Sequence, residues 1–85
     1  MNTLAIEPTT PTAESVSVTN DTLTVELSDG RGLSVPLDWF PRLASASQRE
    51  RSVWEPVAAG HGIHWPHIDE DLSVEGLLRG EPAIR

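Results

Sequence analysis

Three histidines, spaced three residues apart, stand close before a run of three acids. They are His61, His64 and His67, and the acids are Asp69, Glu70 and Asp71. Imidazole and carboxylate groups are the usual ligands of zinc and other divalent ions in proteins. A metal site is therefore the first chemistry that these residue types indicate.

The spacing of the histidines does not favour such a site. Steps of three residues bring ligands together on one face of a helix. Two glycines and a proline disfavour a helix over this segment, at Gly60, Gly62 and Pro66. In a strand over residues 63–65, His64 would point away from its apolar neighbours. We therefore expect no bound metal and no cofactor, with His64 ordering its loop through a hydrogen bond and the other two histidines solvated.

Other catalytic chemistry finds little support in the sequence. The chain has no cysteine, and it contains no nucleophile elbow, phosphate-binding loop or zinc-protease motif. A hydrolase with paired carboxylates needs a cleft that separates two acids. A chain of 85 residues leaves little room for one. We therefore predict a protein that is not an enzyme.

The acidic segment, residues 69–71, has two interpretations. It precedes a helix that Ser73 is expected to cap, and acids near a helix N-terminus stabilise the helix by about 0.3–1 kcal/mol each. The same acids would suit a partner rich in arginine or lysine, because charge complementarity selects partners and accelerates association.

Aromatic side chains offer a second candidate surface. Trp39 and Phe40 precede Arg42, and Trp65 lies just before the acidic segment. Large aromatics in small domains are mostly core residues, but tryptophan and arginine are also common anchors of protein interfaces. The sequence does not decide which aromatics are exposed. The candidate partner-binding residues are thus Trp39, Phe40, Arg42, Trp65, Asp69, Glu70 and Asp71.

The first half of the chain has the alternating pattern of β-strands. Apolar residues occupy every second position over residues 16–18, 23–27 and 33–37, which predicts a three-stranded antiparallel meander. The apolar residues of the first two strands share one face of the sheet if a two-residue turn lies at Asn20-Asp21, with Val18 opposite Leu23. We predict a type I′ turn there. The second hairpin requires a bulge with Gly30 in the left-handed conformation.

Helical turns and further strands are predicted after the meander. Asp38 is expected to cap a short helix over residues 39–43, and the spacing of Ser47 and Glu50 predicts a capping box. Two short strands over residues 54–58 and 63–65 and a last helix after Ser73 complete an α+β fold. The folded domain is expected over residues 13–80, between tails at residues 1–12 and 81–85.

Three segments together resemble one known family. They are SDGRGLSVPLDWFPRL over residues 28–43, SQRERSVW ending at Trp54, and GHGIHWPHIDEDLSVEGLLRG over residues 60–80. In this order they closely resemble the bacterial domain-of-unknown-function family 2442. The resemblance implies an α+β fold, a cytoplasmic location and no established enzymatic activity.

The resemblance also implies two biological settings. Some members of that family carry a helix-turn-helix DNA-binding domain after this module, and others resemble the second gene of a two-gene, toxin–antitoxin-like pair. Only five residues follow Gly80 here, so DNA binding by this chain alone is not expected.

We therefore expect a protein–protein interaction module, the accessory or antitoxin-like half of a small two-gene bacterial system. Its partner would be another small protein, encoded by a neighbouring gene, or a second copy of the chain. The alternatives are a sensor or dimerisation domain of a transcription regulator and, third, a metal-binding protein. The sequence has no export signal and no run of ~20 apolar residues, so we expect a cytoplasmic protein without membrane association.

We predict that the isolated chain does not bind DNA at physiological salt. Six arginines are outweighed by thirteen acids, which gives a net charge of −7, so contact with a phosphate backbone is unfavourable. An electrophoretic mobility shift assay measures this directly. A submicromolar, sequence-selective shift would contradict the prediction.

Overall fold

A computed structural model describes residues 10–81. Short strands and helices follow one another along this part of the chain. The strands are β1 (Ala13–Val18), β2 (Thr22–Leu27), β3 (Gly32–Pro36), β4 (Glu55–Val57), β5 (Gly62–Trp65) and β6 (Glu70–Ser73). The helices are α1 (Pro41–Ala44), α2 (Gln48–Ser52) and α3 (Val74–Leu78), and 3-10 turns span Leu37–Trp39 and Ala58–Gly60. The predicted α+β fold, with its N-terminal meander and C-terminal helix, is confirmed.

Most of the predicted tails, over residues 1–9 and 82–85, lies outside the described residues. Thr12 belongs to the folded part, although the sequence analysis assigns it to the tail. Its N–H donates to Ser28 Oγ at 3.0 Å, and its carbonyl accepts the Ser28 N–H at 2.9 Å. Pro11 is buried beside it in sequence. The backbone of this segment is therefore tied to the end of β2.

The first sheet has the strand order β1-β2-β3 and the predicted register, with Val18 opposite Leu23. The predicted type I′ turn between β1 and β2 is wrong, because neither Asn20 nor Asp21 has a positive φ. The Thr19 hydroxyl instead accepts backbone N–H groups from the turn, at 3.4 Å from Asp21 N and 3.1 Å from Thr22 N. Hydrogen bonds to the Thr19 side chain thus stabilise a turn that lacks the positive φ angles of type I′.

Gly30 has the left-handed conformation that the second hairpin requires, with φ +93°. The Leu27 carbonyl accepts its N–H at 3.1 Å, and Val25 lies opposite Leu33 as predicted. Asp29 completes the turn by accepting the backbone N–H of Arg31 at 3.1 Å and its Nε at 2.8 Å. These hydrogen bonds, the backbone one above all, lower the pKa of Asp29 below its usual value.

The second sheet has the strand order β4-β5-β6, so it contains three strands where the sequence predicts two. The additional strand is β6, which runs through the acidic segment and pairs with β5. Its sequence, EDLS, has one apolar residue and therefore carries almost no strand signal. Pro56 lies in β4, at the edge of this sheet, where a residue without an N–H is tolerated.

The predicted helix over residues 39–43 is divided in two, and Asp38 does not cap it. Asp38 lies inside a 3-10 turn, and the residue before α1 is Phe40, which supplies no side-chain hydrogen bond. Pro41 starts α1, and the residue before a proline is disfavoured in helical conformation. Phe40 accordingly has φ −128° and ψ 85°.

The two other predicted caps are confirmed. Ser47 and Glu50 form both hydrogen bonds of a capping box at the start of α2. The Ser73 hydroxyl accepts the N–H of Gly76 at 2.9 Å at the start of α3. Among the described residues, no helix is long or apolar enough to cross a membrane.

The core forms between the two sheets and the short helices, and two charged residues, Arg51 and Glu70, are buried with it. Its fully buried large residues are Trp65, Phe40, Leu23, Leu37, Leu43, Ile63, Val25 and Val74. Arg51 of α2 is only 7% exposed. Its guanidinium donates to the carbonyls of Leu43 at 3.0 Å and Ala44 at 2.9 Å. The Leu43 carbonyl also accepts the N–H of Ala46 at 3.2 Å. Both carbonyls belong to the last turn of α1, where the helix itself supplies no donors.

We predict that Arg51→Met lowers the free energy of unfolding by about 1.5–3 kcal/mol, because hydrogen bonds to a charged group are lost and the Ala44 carbonyl loses its side-chain donor. Arg49→Met is the matched control, since Arg49 is an exposed residue of the same helix. Its effect should stay within about 0.5 kcal/mol. Urea unfolding of both variants measures the difference, and equal effects would show that Arg51 is not a structural anchor.

Candidate functional site

The β5–β6 hairpin determines where the predicted site residues lie. Its antiparallel register pairs His64 with Asp71 and Trp65 with Glu70. Directly opposed residues share a face of the sheet, and successive residues alternate between faces. His64 and Asp71 therefore lie on the outer face, while Trp65 and Glu70 lie on the face toward the core. The sheet thus separates Glu70 from Asp71, and the acidic segment does not form one continuous surface.

On the outer face, His64 and Asp71 form a close pair. His64 Nδ1 lies 2.8 Å from Asp71 Oδ1, and the Asp71 side chain is 67% exposed. Asp69 lies in the turn before β6, and the ligand atoms of all three residues fall within 4.8 Å of one another. Both His61 and His67 are exposed and stand outside this cluster. The three histidines therefore do not converge, and one of them meets two aspartates instead.

The predicted aromatic docking surface is wrong for two of its residues. Phe40 is 1% exposed and Trp65 is 0% exposed, so both belong to the core. Trp39 is half-buried and packs edge-on against Phe40, with ring centroids 6.5 Å apart. The Trp65 indole N–H donates to the carbonyl of Arg51 at 3.0 Å. Of the three aromatic residues predicted for this surface, only Trp39 is partly accessible.

Arg42 is exposed and connects α1 to the turn of the β5–β6 hairpin. Its Nη1 donates to the carbonyl of Asp69 at 2.6 Å. Asp69 has a positive φ of +53°, a conformation that aspartate tolerates better than most residues. The hydrogen bond fixes the position of this turn relative to α1.

A groove of about 590 Å³ lies between the two helices and this hairpin turn. We call it the helix–hairpin groove, and its lining includes Pro41, Arg42, Ala46, Glu50, Ile68 and Glu70. Its size is within the range of known ligand sites. The surface it offers is more apolar than polar.

Glu70 is the unusual residue of the groove. Only 7% of its surface is exposed to solvent. Within residues 10–81, its carboxylate accepts no hydrogen bond and forms no ion pair within 4.0 Å. Arg51, by comparison, is equally buried but donates to several oxygens. A buried charge without a partner is rare, because desolvation is not compensated.

A second depression, of about 880 Å³, lies on the other side of the β5–β6 hairpin. Its polar lining includes His61, Asp71 and Glu75, all of which are exposed. Exposed polar groups are hydrated and have no need of a ligand. The helix–hairpin groove is therefore the better candidate site.

Several groove residues escaped the sequence analysis. Ile68 is a single apolar residue in a turn, and Ala46 lies between two helices. For Glu50 the sequence predicts only a place in the capping box, and its Oε1 does accept the Ser47 N–H at 2.8 Å. Glu70 is among the predicted partner-binding residues, but its burial is not predicted. The signal for that burial is its place two residues before Leu72, since residues at this spacing share a face of a strand.

We predict that the purified protein retains no stoichiometric zinc. His64 already hydrogen bonds to Asp71, and both aspartates of the cluster are exposed to water, which competes for a metal. Elemental analysis after gel filtration measures the content. About one equivalent of zinc, lost in His64→Ala and kept in the control His61→Ala, would contradict the prediction.

Comparison with known proteins places the fold among uncharacterised proteins. A crystal structure of a protein of unknown function from Rhodospirillum rubrum ATCC 11170 is similar, with a TM-score of 0.75 and 27% identity over 88% of this chain and 93% of that chain. A solution NMR structure of an uncharacterized protein from Chromobacterium violaceum has a TM-score of 0.73 and 24% identity, over 86% and 69% of the two chains. The latter similarity concerns the fold alone.

No curated protein matches the sequence. The family described as "Protein of unknown function (DUF2442)" matches residues 13–83, which include both sheets and all the groove residues named above. The motifs that suggest the resemblance at the sequence level lie within the same range. The chain therefore belongs to the DUF2442 family.

Proposed function

We propose that this chain is a non-enzymatic protein-interaction module that binds a partner protein in its helix–hairpin groove. The observation that carries the proposal is Glu70, a buried carboxylate without a partner that lines an accessible groove. We further propose that the chain acts in the cytoplasm as the accessory, antitoxin-like half of a two-protein system. Its partner would be a small protein encoded by a neighbouring gene.

The composition of the groove supports binding more than catalysis. Its titratable groups are Arg42, Glu50 and Glu70. Arg42 donates to a backbone carbonyl and Glu50 accepts a backbone N–H, so both are engaged in holding the structure. Hydrolysis by a general acid and a general base uses two groups that are free to exchange protons with a substrate, and only Glu70 is free among these three.

The walls of the groove also support a protein partner. Ala46 and Ile68 are half-buried apolar residues, and Pro41 beside them is exposed. Apolar walls around a desolvated polar group are the arrangement in which interface anchors bind most tightly. The rim is polar, with Ser45 and Arg42 exposed to solvent.

We predict that Ala46→Trp weakens association with the neighbouring gene's product at least about tenfold, because the indole would fill the groove. Val53→Trp is the control, since Val53 is an exposed apolar residue outside the groove lining. Co-expression and calorimetric titration of the two purified proteins measure the affinities.

Three results would contradict the proposed function. They are no association of the two proteins, an unchanged affinity in Ala46→Trp, or an equal loss in both variants. Sedimentation of the chain alone detects the other occupant, a second copy. A dimer that Ala46→Trp dissociates would assign the groove to self-association and overturn the proposed two-protein system.

A further inference from the structure

We infer that the helix–hairpin groove recognises an arginine side chain of its partner, with Glu70 as the residue that binds the guanidinium. This inference rests on the proposed function and specifies the chemistry of the partner. It goes beyond a general attraction between an acidic surface and a basic protein, because it assigns the recognition to one buried carboxylate.

Glu70 lies at a position of the hairpin that faces the core. Its cross-strand partner is Trp65 and its neighbour on the same face is Leu72, both of which are buried in the core. An apolar side chain at this position would pack against both without a desolvation penalty. A carboxylate without a partner is unfavourable for the isolated fold, so its presence is explained if a ligand provides the missing donors.

The charges that line the groove favour a cationic ligand. Two carboxylates, Glu50 and Glu70, line it with one guanidinium, that of Arg42. Arg42 does not neutralise Glu70, since it forms no ion pair with it and donates instead to the carbonyl of Asp69. An anionic ligand would face both carboxylates, whereas a cation is attracted by them.

The apolar lining of the groove and its buried carboxylate favour arginine among cations. An arginine side chain places an apolar stem before a planar group of five donors, and a carboxylate accepts two of these in parallel. Pro41, Ala46 and Ile68 line the groove together with Glu70 and provide apolar surface for the stem. Lysine has a similar stem, but its more strongly hydrated ammonium costs more to desolvate and cannot bind in the bidentate manner.

The test is an NMR titration of the full chain with N-acetyl-L-arginine amide. We expect half-saturation at about 1–10 mM, as for a single small anchor, with the largest chemical-shift changes at Ala46, Ile68 and Glu70. N-acetyl-L-citrulline amide has nearly the same shape without the charge and should bind at least about tenfold more weakly. N-acetyl-L-lysine amide should be intermediate. Equal affinities for arginine and citrulline would overturn the inference.

Two variants assign the effect to Glu70. Glu70→Gln should weaken binding of the arginine probe and of the partner protein at least about tenfold. Glu26→Gln makes the same change in net charge at an exposed position of the first sheet and should bind like the original chain. If the partner binds Glu70→Gln normally while Ala46→Trp blocks it, the groove remains the binding site and only the arginine inference fails.

A thermal melt separates recognition from a structural role. If Glu70 serves the fold, Glu70→Gln and Glu70→Leu should lower the Tm. If it serves a ligand, removal of an unpaired buried charge should leave the Tm unchanged or raise it, by about 4–8 °C for Glu70→Leu. A fall in Tm in both variants would overturn the inference, whatever the binding result.

Discussion

The arrangement of the sheets and helices depends on the hydrogen bonds of Arg51. Its guanidinium closes the end of α1 and also lies 3.4 Å from the carbonyl of Thr19, at the first hairpin. Its backbone carbonyl accepts the indole N–H of Trp65. One residue therefore connects both sheets to the helices between them. Together with the hydrogen bond from Arg42 to the Asp69 carbonyl, these contacts fix the distance between the helices on one side of the helix–hairpin groove and the hairpin on the other.

The same connection explains why Glu70 is buried. Trp65 is held by Arg51 and faces Glu70 across the β5–β6 ladder, so the register that places the indole in the core also places the carboxylate there. The two buried charges differ in how they are satisfied. Arg51 has its oxygen partners inside the fold, and Glu70 has none among the described residues. This contrast is the physical basis of the proposed function.

Features that depend on local patterns were predictable from the sequence. The registers of the meander follow from the alternation of residues such as Val18 and Leu23, and the capping box at Ser47 follows from residue types three positions apart. The candidate site depends on long-range pairing. Nothing local distinguishes Arg51 from Arg49, because the burial of Arg51 is determined by strands distant in sequence. The spacing of Glu70 from Leu72 is too short a pattern to predict a strand, so the burial of Glu70 depends on packing against the core.

The most direct measurement is a crystal structure of the full chain with N-acetyl-L-arginine amide. We expect guanidinium nitrogens about 2.7–3.2 Å from the Glu70 carboxylate oxygens, with the aliphatic stem against Ile68. A ligand bound to Asp71 on the outer face of the hairpin, with the helix–hairpin groove empty, would contradict the account. So would a Glu70 carboxylate paired with Arg42 in that structure.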